Sequence, residues 1–93
     1  MTITSDSRIE RTDQCMLAET DEGLMLLSLS DGKFYSLQNT GRRIWELLEH
    51  KSFVADLVSA LREEFEIDDA TCTSEVIELL SALKKRGFVR ISN

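Results

Sequence analysis

Proline is missing altogether, and histidine, tryptophan and tyrosine occur once each among 93 residues. With no proline-rich linker, low-complexity tract or internal repeat to divide it, the chain fits one compact domain built on one core. Cysteine occurs only as Cys15 and Cys72, without Cys-x-x-Cys pairing, and His50 is the sole histidine, so no metal-ligand set exists. A Cys15–Cys72 disulfide stays open, although two ordinary buried thiols in a reducing compartment is the better reading. No run of about 18 apolar residues is present to span a bilayer. Residues 1–10 lack the basic start and apolar stretch of a secretory signal, which makes a cytoplasmic location the default expectation. Catalytic equipment is sparse as well. His50 lies in the charged stretch Glu49-His50-Lys51 and reads as a solvated loop residue. The carboxylate pairs Glu63-Glu64 and Asp68-Asp69 read as solvated faces or caps, because adjacent helical residues point in different directions. No glycine-rich phosphate loop or dinucleotide fingerprint appears. An autonomous enzyme is therefore not expected, and no cofactor is implied.

What the chain does contain is an ordinary apolar fraction of 42% and a charged fraction of 30%, enough for an independent core. The net charge of −6, with a pI near 4.7, sets a negative field that repels phosphate backbones and favours basic partners, so nucleic acid is an unsuitable ligand.

Residues 1–10 (MTITSDSRIE) are polar apart from isolated Ile3 and Ile9 and read as a flexible N-terminal arm, with residues 11–93 as the folded domain. Gln14–Glu19 suits a short strand and Thr20-Asp21-Glu22-Gly23 a turn. Leu24–Leu29 suits a strand apolar on both faces. Asp31-Gly32 can take the positive φ angles of a type I′ turn, and Lys33–Leu37 is rich in strand formers, so a hairpin is expected. The period then changes. Ile44, Trp45, Leu47 and Leu48 follow helical spacing from a cap at Asn39 or Thr40, and Gly41 early in this helix suggests close packing of backbone against a neighbour. Ser52 can cap a second helix carrying Val54, Leu57, Val58, Leu61 and Phe65. Asp68 can cap a third carrying Cys72, Val76, Leu79, Leu80 and Leu83. That helix ends in Lys84-Lys85-Arg86 with Gly87 as its left-handed stop and Phe88 folding back. Val89 and Ile91 suit a short final extended piece. The expected fold is α+β: a three-stranded antiparallel sheet followed by three helices, resembling a winged helix-turn-helix.

A three-stranded sheet has an exposed edge whose unpaired N–H and C=O groups can template another strand. If Lys33–Leu37 is that edge and the third helix lies beside it, the two form a cleft for an extended peptide. Four or five main-chain hydrogen bonds at about 0.5–1.5 kcal/mol each, with two apolar anchors at about 1.5–3 kcal/mol each, exceed the ordering cost. A proline at Tyr35 is expected to delete an edge donor and abolish binding. The competing reading is that the N-terminal arm or a second copy covers the edge.

Residues 33–48, KFYSLQNTGRRIWELL, resemble the signature of the PqqD-like family of RiPP recognition elements: an aromatic, a Leu, a polar cap region, Thr40-Gly41, then Ile44-Trp45 and a leucine pair. Leu57, Leu61 and Phe65, and Glu75-Val76, Leu79-Leu80, Leu83 and Gly87-Phe88, extend the likeness over roughly residues 11–89. Gln38 stands where the family usually has Asn, and Phe53 where a Thr commonly opens the second helix. The resemblance implies binding of the leader segment of a ribosomally made precursor peptide, added as a strand to the third strand and lying against the third helix. It nominates Lys33, Phe34, Tyr35 and Ser36, chiefly through backbone, and Glu75, Leu79, Ala82 and Arg86 from the helix. Glu75 would pair with a basic leader residue and Arg86 with an acidic one, and Leu79 and Ala82 would floor an apolar pocket. Ile44 and Trp45 are assigned to the core. The implied partners are the precursor peptide and a maturation enzyme, either a cysteine-protease-type leader peptidase of a lasso-peptide pathway, slightly preferred, or a radical-SAM enzyme of PQQ biosynthesis. Neither nucleic acid nor membrane is an expected partner, and the chain is expected to be a monomer or weak dimer. The rival from another class is a winged-helix DNA binder. Its reading helix should be basic, whereas the candidates here carry Arg62-Glu63-Glu64 or Glu75 and Glu78. A purely structural subunit of a larger assembly is a third possibility.

Overall fold

The computed structural model describes residues 3–92, in the order β1 (Arg8–Arg11), β2 (Cys15–Thr20), β3 (Gly23–Ser28), β4 (Phe34–Leu37), α1 (Thr40–Leu47), α2 (Val54–Glu64), α3 (Asp69–Lys85) and β5 (Val89–Ser92). Residues 1, 2 and 93, which belong to the expected arm and domain, lie outside the described residues. Strands β2, β3 and β4 form an antiparallel sheet in that order. Pairing of Leu24 with Leu37 and of Leu26 with Tyr35 puts those four side chains on one face, where Leu24, Leu26 and Leu37 join the core. The opposite face takes Met16, Leu27 and Phe34 in one cross-strand row, and Ala18, Met25 and Ser36 in the next. The fold is thus the α+β arrangement expected, a sheet standing as a wing beside a winged helix-turn-helix-like trio.

The helices bury the periodic stripes seen in sequence. Ile44, Trp45 and Leu47 from α1, Val54, Leu57, Val58 and Leu61 from α2, and Cys72, Val76, Leu80 and Leu83 from α3 meet Phe88 in one core. Helix α3 has both expected ends. Asp68 accepts a hydrogen bond from the Thr71 amide at 3.0 Å, and Gly87 at φ 79° reverses the chain so that the Phe88 amide donates to Leu83 at 3.0 Å. Both cysteines are free: Cys72 is buried, its thiol 3.8 Å from the Val58 carbonyl oxygen, but Cys15 is only half-buried.

Other local expectations need correction. The chain from Ile3 onward is tied to the body, unlike the loose arm that its polarity suggests. Ile3 and Ile9 are buried, and β1 pairs antiparallel with β5, Ile9 opposite Ile91, in a second sheet. This segment also replaces the expected Ser52 cap. Phe53 occupies the cap position of α2 without a side-chain bond, and the orphan amides of Val54 and Ala55 donate instead to the carbonyl oxygens of Ser7 and Ser5, at 3.3 and 3.2 Å. Asn39 stands at the cap of α1 at φ 54°, but its side chain makes no capping bond. The β3–β4 connection is longer than a two-residue type I′ turn. Only Gly32 of the pair takes a positive φ, and Asp31 instead accepts from the Lys33 amide at 3.0 Å. On the solvent side, the Arg43 guanidinium grips Glu64 through two bonds of 2.8 and 3.0 Å, joining α1 to α2.

The Thr71 amide holds the Asp68 carboxyl below its ordinary range, and Arg43 does the same for Glu64. A carboxylate whose pKa is depressed by folding stabilises the fold above its unfolded pKa and loses that contribution as pH falls through the folded one. Thermal melts of the wild type and of Asp68→Ala should therefore differ most at neutral pH and converge in strong acid. A constant difference across that range would show that the cap acts without its charge.

Candidate functional site

The parity of the β3–β4 ladder decides which backbone groups are open. The Ser28 amide donates to the Lys33 carbonyl at 2.9 Å, which marks this as a hydrogen-bonding position of the ladder, and in an antiparallel ladder such positions recur at every second residue. Tyr35 and Leu37 consequently turn their N–H and C=O groups toward β3, as Lys33 does its carbonyl, its amide being held by Asp31. The β2–β3 ladder gives the same parity from its other side, since the Leu29 amide donates to Gln14 and commits the odd-numbered residues of β3 to β2. Phe34 and Ser36 are left with both backbone groups directed outward. Among the described residues no strand pairs with that side of β4. The expectation that Tyr35 supplies an edge donor is thereby corrected, because its amide belongs to the internal ladder.

Across from this edge runs α3. Tyr35 meets the Arg86 guanidinium, which sits 4.6 Å above its ring, and a methyl at Gly41 would stand 3.8 Å from a terminal carbon of Leu79. As the chain advances from Tyr35 in β4 to Gly41 in α1 the facing residue falls from 86 to 79, so this stretch runs opposite to α3 with a groove between them. A cavity of about 310 Å³ opens there, lined by Tyr35, Thr40, Gly41, Ile44, Glu75, Glu78, Leu79 and Ala82. The cleft is electrically polar: Glu75 and Glu78 stand at the α1 end, and Arg86 at the end beside the β3–β4 loop. Gly23 keeps the β3–β4 edge tight. A methyl there would lie 2.4 Å from the Leu37 carbonyl oxygen, and its φ of 148° disfavours any side chain.

Of the residues nominated from sequence, Tyr35, Glu75, Leu79 and Ala82 line the cavity. Arg86 stacks on Tyr35 at its margin. Lys33 precedes β4 with its carbonyl turned inward, and Phe34 and Ser36 carry the open backbone groups while their side chains lie on the outer face. Phe34 is 63% exposed there, and Met16, on the far side of β3 in the same row, 58%. Ile44 is buried as assigned but also forms the cavity floor. Trp45 is core, with the Arg11 guanidinium 4.6 Å from its ring. Thr40, Gly41 and Glu78 were not nominated. Glu78 was findable, because it shares a helix face with Glu75 and Ala82 at spacings of three and four.

These features define a class: a small α+β domain with an open edge strand facing a helix across an apolar, charge-rimmed groove. The chain belongs to the PqqD family, its residues 23–89 matching the family described as coenzyme PQQ synthesis protein D. Among solved structures it is similar to TbiB1 in complex with the TbiA(beta) leader peptide, at 28% identity and a TM-score of 0.78 over 87% of this chain and 94% of that one. It is also similar to lasso peptide synthetase B1 complexed with the leader peptide, at 26% identity and a TM-score of 0.77 over 88% and 96%. No curated protein sequence matches it.

Proposed function

We propose that this chain captures the leader segment of a ribosomally made precursor peptide as an added β-strand on β4, against α3, and delivers it to a maturation enzyme. The observation that carries this reading is the open backbone of Phe34 and Ser36 bordering the Tyr35–Leu79–Ala82 cavity. Four backbone groups give the guest its register. One set of alternate guest side chains enters the groove, and the other joins the outer face beside Phe34 and Ser36. In this reading Lys33 flanks the strand, Leu79 and Ala82 floor the pocket, Glu75 receives a basic guest residue and Arg86 an acidic one. The binding unit is residues 11–93, braced by β1. The chain is a recognition subunit without catalytic groups of its own. Likeness to a lasso peptide synthetase B1 bound to a leader favours a leader peptidase as the enzyme over the radical-SAM partner that the family's name suggests. A cytoplasmic site of action follows from the nature of that pathway, and no helix among the described residues is long and apolar enough to cross a membrane. The carboxylates rimming the groove suit a peptide carrying a cation and oppose nucleic acid.

Delivery needs a second surface. The row of exposed Met16, half-buried Leu27 and exposed Phe34 is continuous with the edge where the guest strand adds, so an enzyme seated on that face would touch carrier and guest together.

Peptides from small reading frames beside this gene, labelled and titrated in fluorescence polarisation, test the capture. Ser36→Pro removes one outward N–H at an edge position where proline is tolerated, and should weaken binding by about tenfold or more while the circular dichroism spectrum is retained. Unchanged affinity in the folded variant would overturn the reading. Met16→Glu, on the same face but two strands from the guest edge, should leave peptide affinity intact but slow leader removal by a leader peptidase in a coupled assay. Equal rates would exclude the outer face as the delivery surface.

A further inference from the structure

Gly41 is a glycine that neither the backbone nor the packing of the chain requires. It occupies the second position of α1, and a glycine in a helix is less favourable than alanine. Its φ is not positive, in contrast to Gly23, Gly32 and Gly87, so alanine can adopt the same conformation. A methyl there would stand 3.6 Å from Leu37 and 3.8 Å from Leu79, each at a terminal side-chain carbon and each an ordinary van der Waals contact. The space that the missing side chain leaves open belongs to the groove. Gly41 lines the same cavity as Ile44, Leu79 and Ala82, and any side chain on it would project between α3 and the end of β4.

We infer that Gly41 is the size gate of the peptide site: its bare α-carbon gives the pocket the depth to seat one large apolar guest side chain, of leucine or aromatic size, on a floor of Ile44, Leu79 and Ala82. This inference rests on the peptide-binding reading and adds to it the residue that sets which anchor is accepted. Alanine at 41 makes the pocket shallower, and valine shallower still. The exposed carboxylates of Glu75 and Glu78 lie at the rim and do not limit depth. A gate of this kind separates two quantities that normally move together. Filling it should leave the fold as stable or more stable, because a helical glycine is lost, while selectively weakening guests with large anchors.

A random twelve-residue display library selected in parallel against wild type, Gly41→Ala and Gly41→Val provides the probe. Wild type should enrich sequences with a large apolar residue at one fixed position, and Gly41→Val should move that position to alanine, serine or valine. A wild-type-selected peptide should bind Gly41→Ala about tenfold or more weakly, in line with what one methylene decides in an apolar pocket. The melting temperature of Gly41→Ala should equal or exceed that of wild type. If wild type enriches peptides but the preferred anchor and its affinity are the same in all three proteins, the size gate is wrong and peptide capture stands. A lowered melting temperature in Gly41→Ala would also overturn it, by assigning the glycine to the fold. If wild type enriches no sequence, peptide capture itself falls and the gate with it.

Discussion

The outward N–H and C=O groups of Phe34 and Ser36 are the constraint on which the rest of the structure depends. The hydrogen bond from the Ser28 amide to the Lys33 carbonyl fixes which residues of β4 face inward, and the period of two leaves Phe34 and Ser36 facing out. An unpaired edge is ordinarily a liability, met by short strands or by cover. Here the strand is four residues long and the groove beside it is walled by α3, so access is limited to a chain that is extended and that also satisfies the groove. Backbone pairing alone selects no sequence. In the proposed reading the groove selects, through its apolar floor, its acidic end and the Tyr35–Arg86 stack at the other end.

Much of the remaining structure holds α3 at the correct distance from that edge. Its N-terminus is fixed by Asp68, and its C-terminus by the turn at Gly87, which sends Phe88 into the core and Val89–Ser92 into pairing with β1. The N-terminal segment then supplies carbonyl oxygens to the first amides of α2, against which α3 packs. The polar segment 3–11 therefore braces the helices behind the groove without lining the groove itself.

What was legible in the sequence follows the range of the interactions. The hairpin, the three helical stripes and the two ends of α3 are set by residues a few positions apart, and alternation, 3.6-residue spacing, Asp68 and Gly87 announce them. Strand β1 is different: it pairs with a segment some eighty positions away, and Arg8-Ile9-Glu10-Arg11 shows only one buried side chain to mark it. The start of α2 is equally silent, because backbone carbonyls of Ser5 and Ser7 replace a side-chain cap and backbone carries no residue signature. Tyr35 looked like an edge donor because strand composition reveals neither ladder parity nor turn length, and a loop over 29–33 in place of a two-residue turn decides both. Resemblance located Tyr35, Glu75, Leu79 and Ala82, which do border one cavity. Gly41 was noticed as a close approach, but only the geometry shows that its neighbours would tolerate a methyl.

The most direct test is residue-resolved amide hydrogen exchange on the free protein and on the protein saturated with a bound leader peptide. In the free state the Tyr35 amide should exchange slowly, held by β3, and those of Phe34 and Ser36 quickly. Addition of peptide should slow Phe34 and Ser36 and leave Tyr35 nearly unchanged. Fast exchange at Phe34 and Ser36 under saturating peptide would contradict strand addition at this edge.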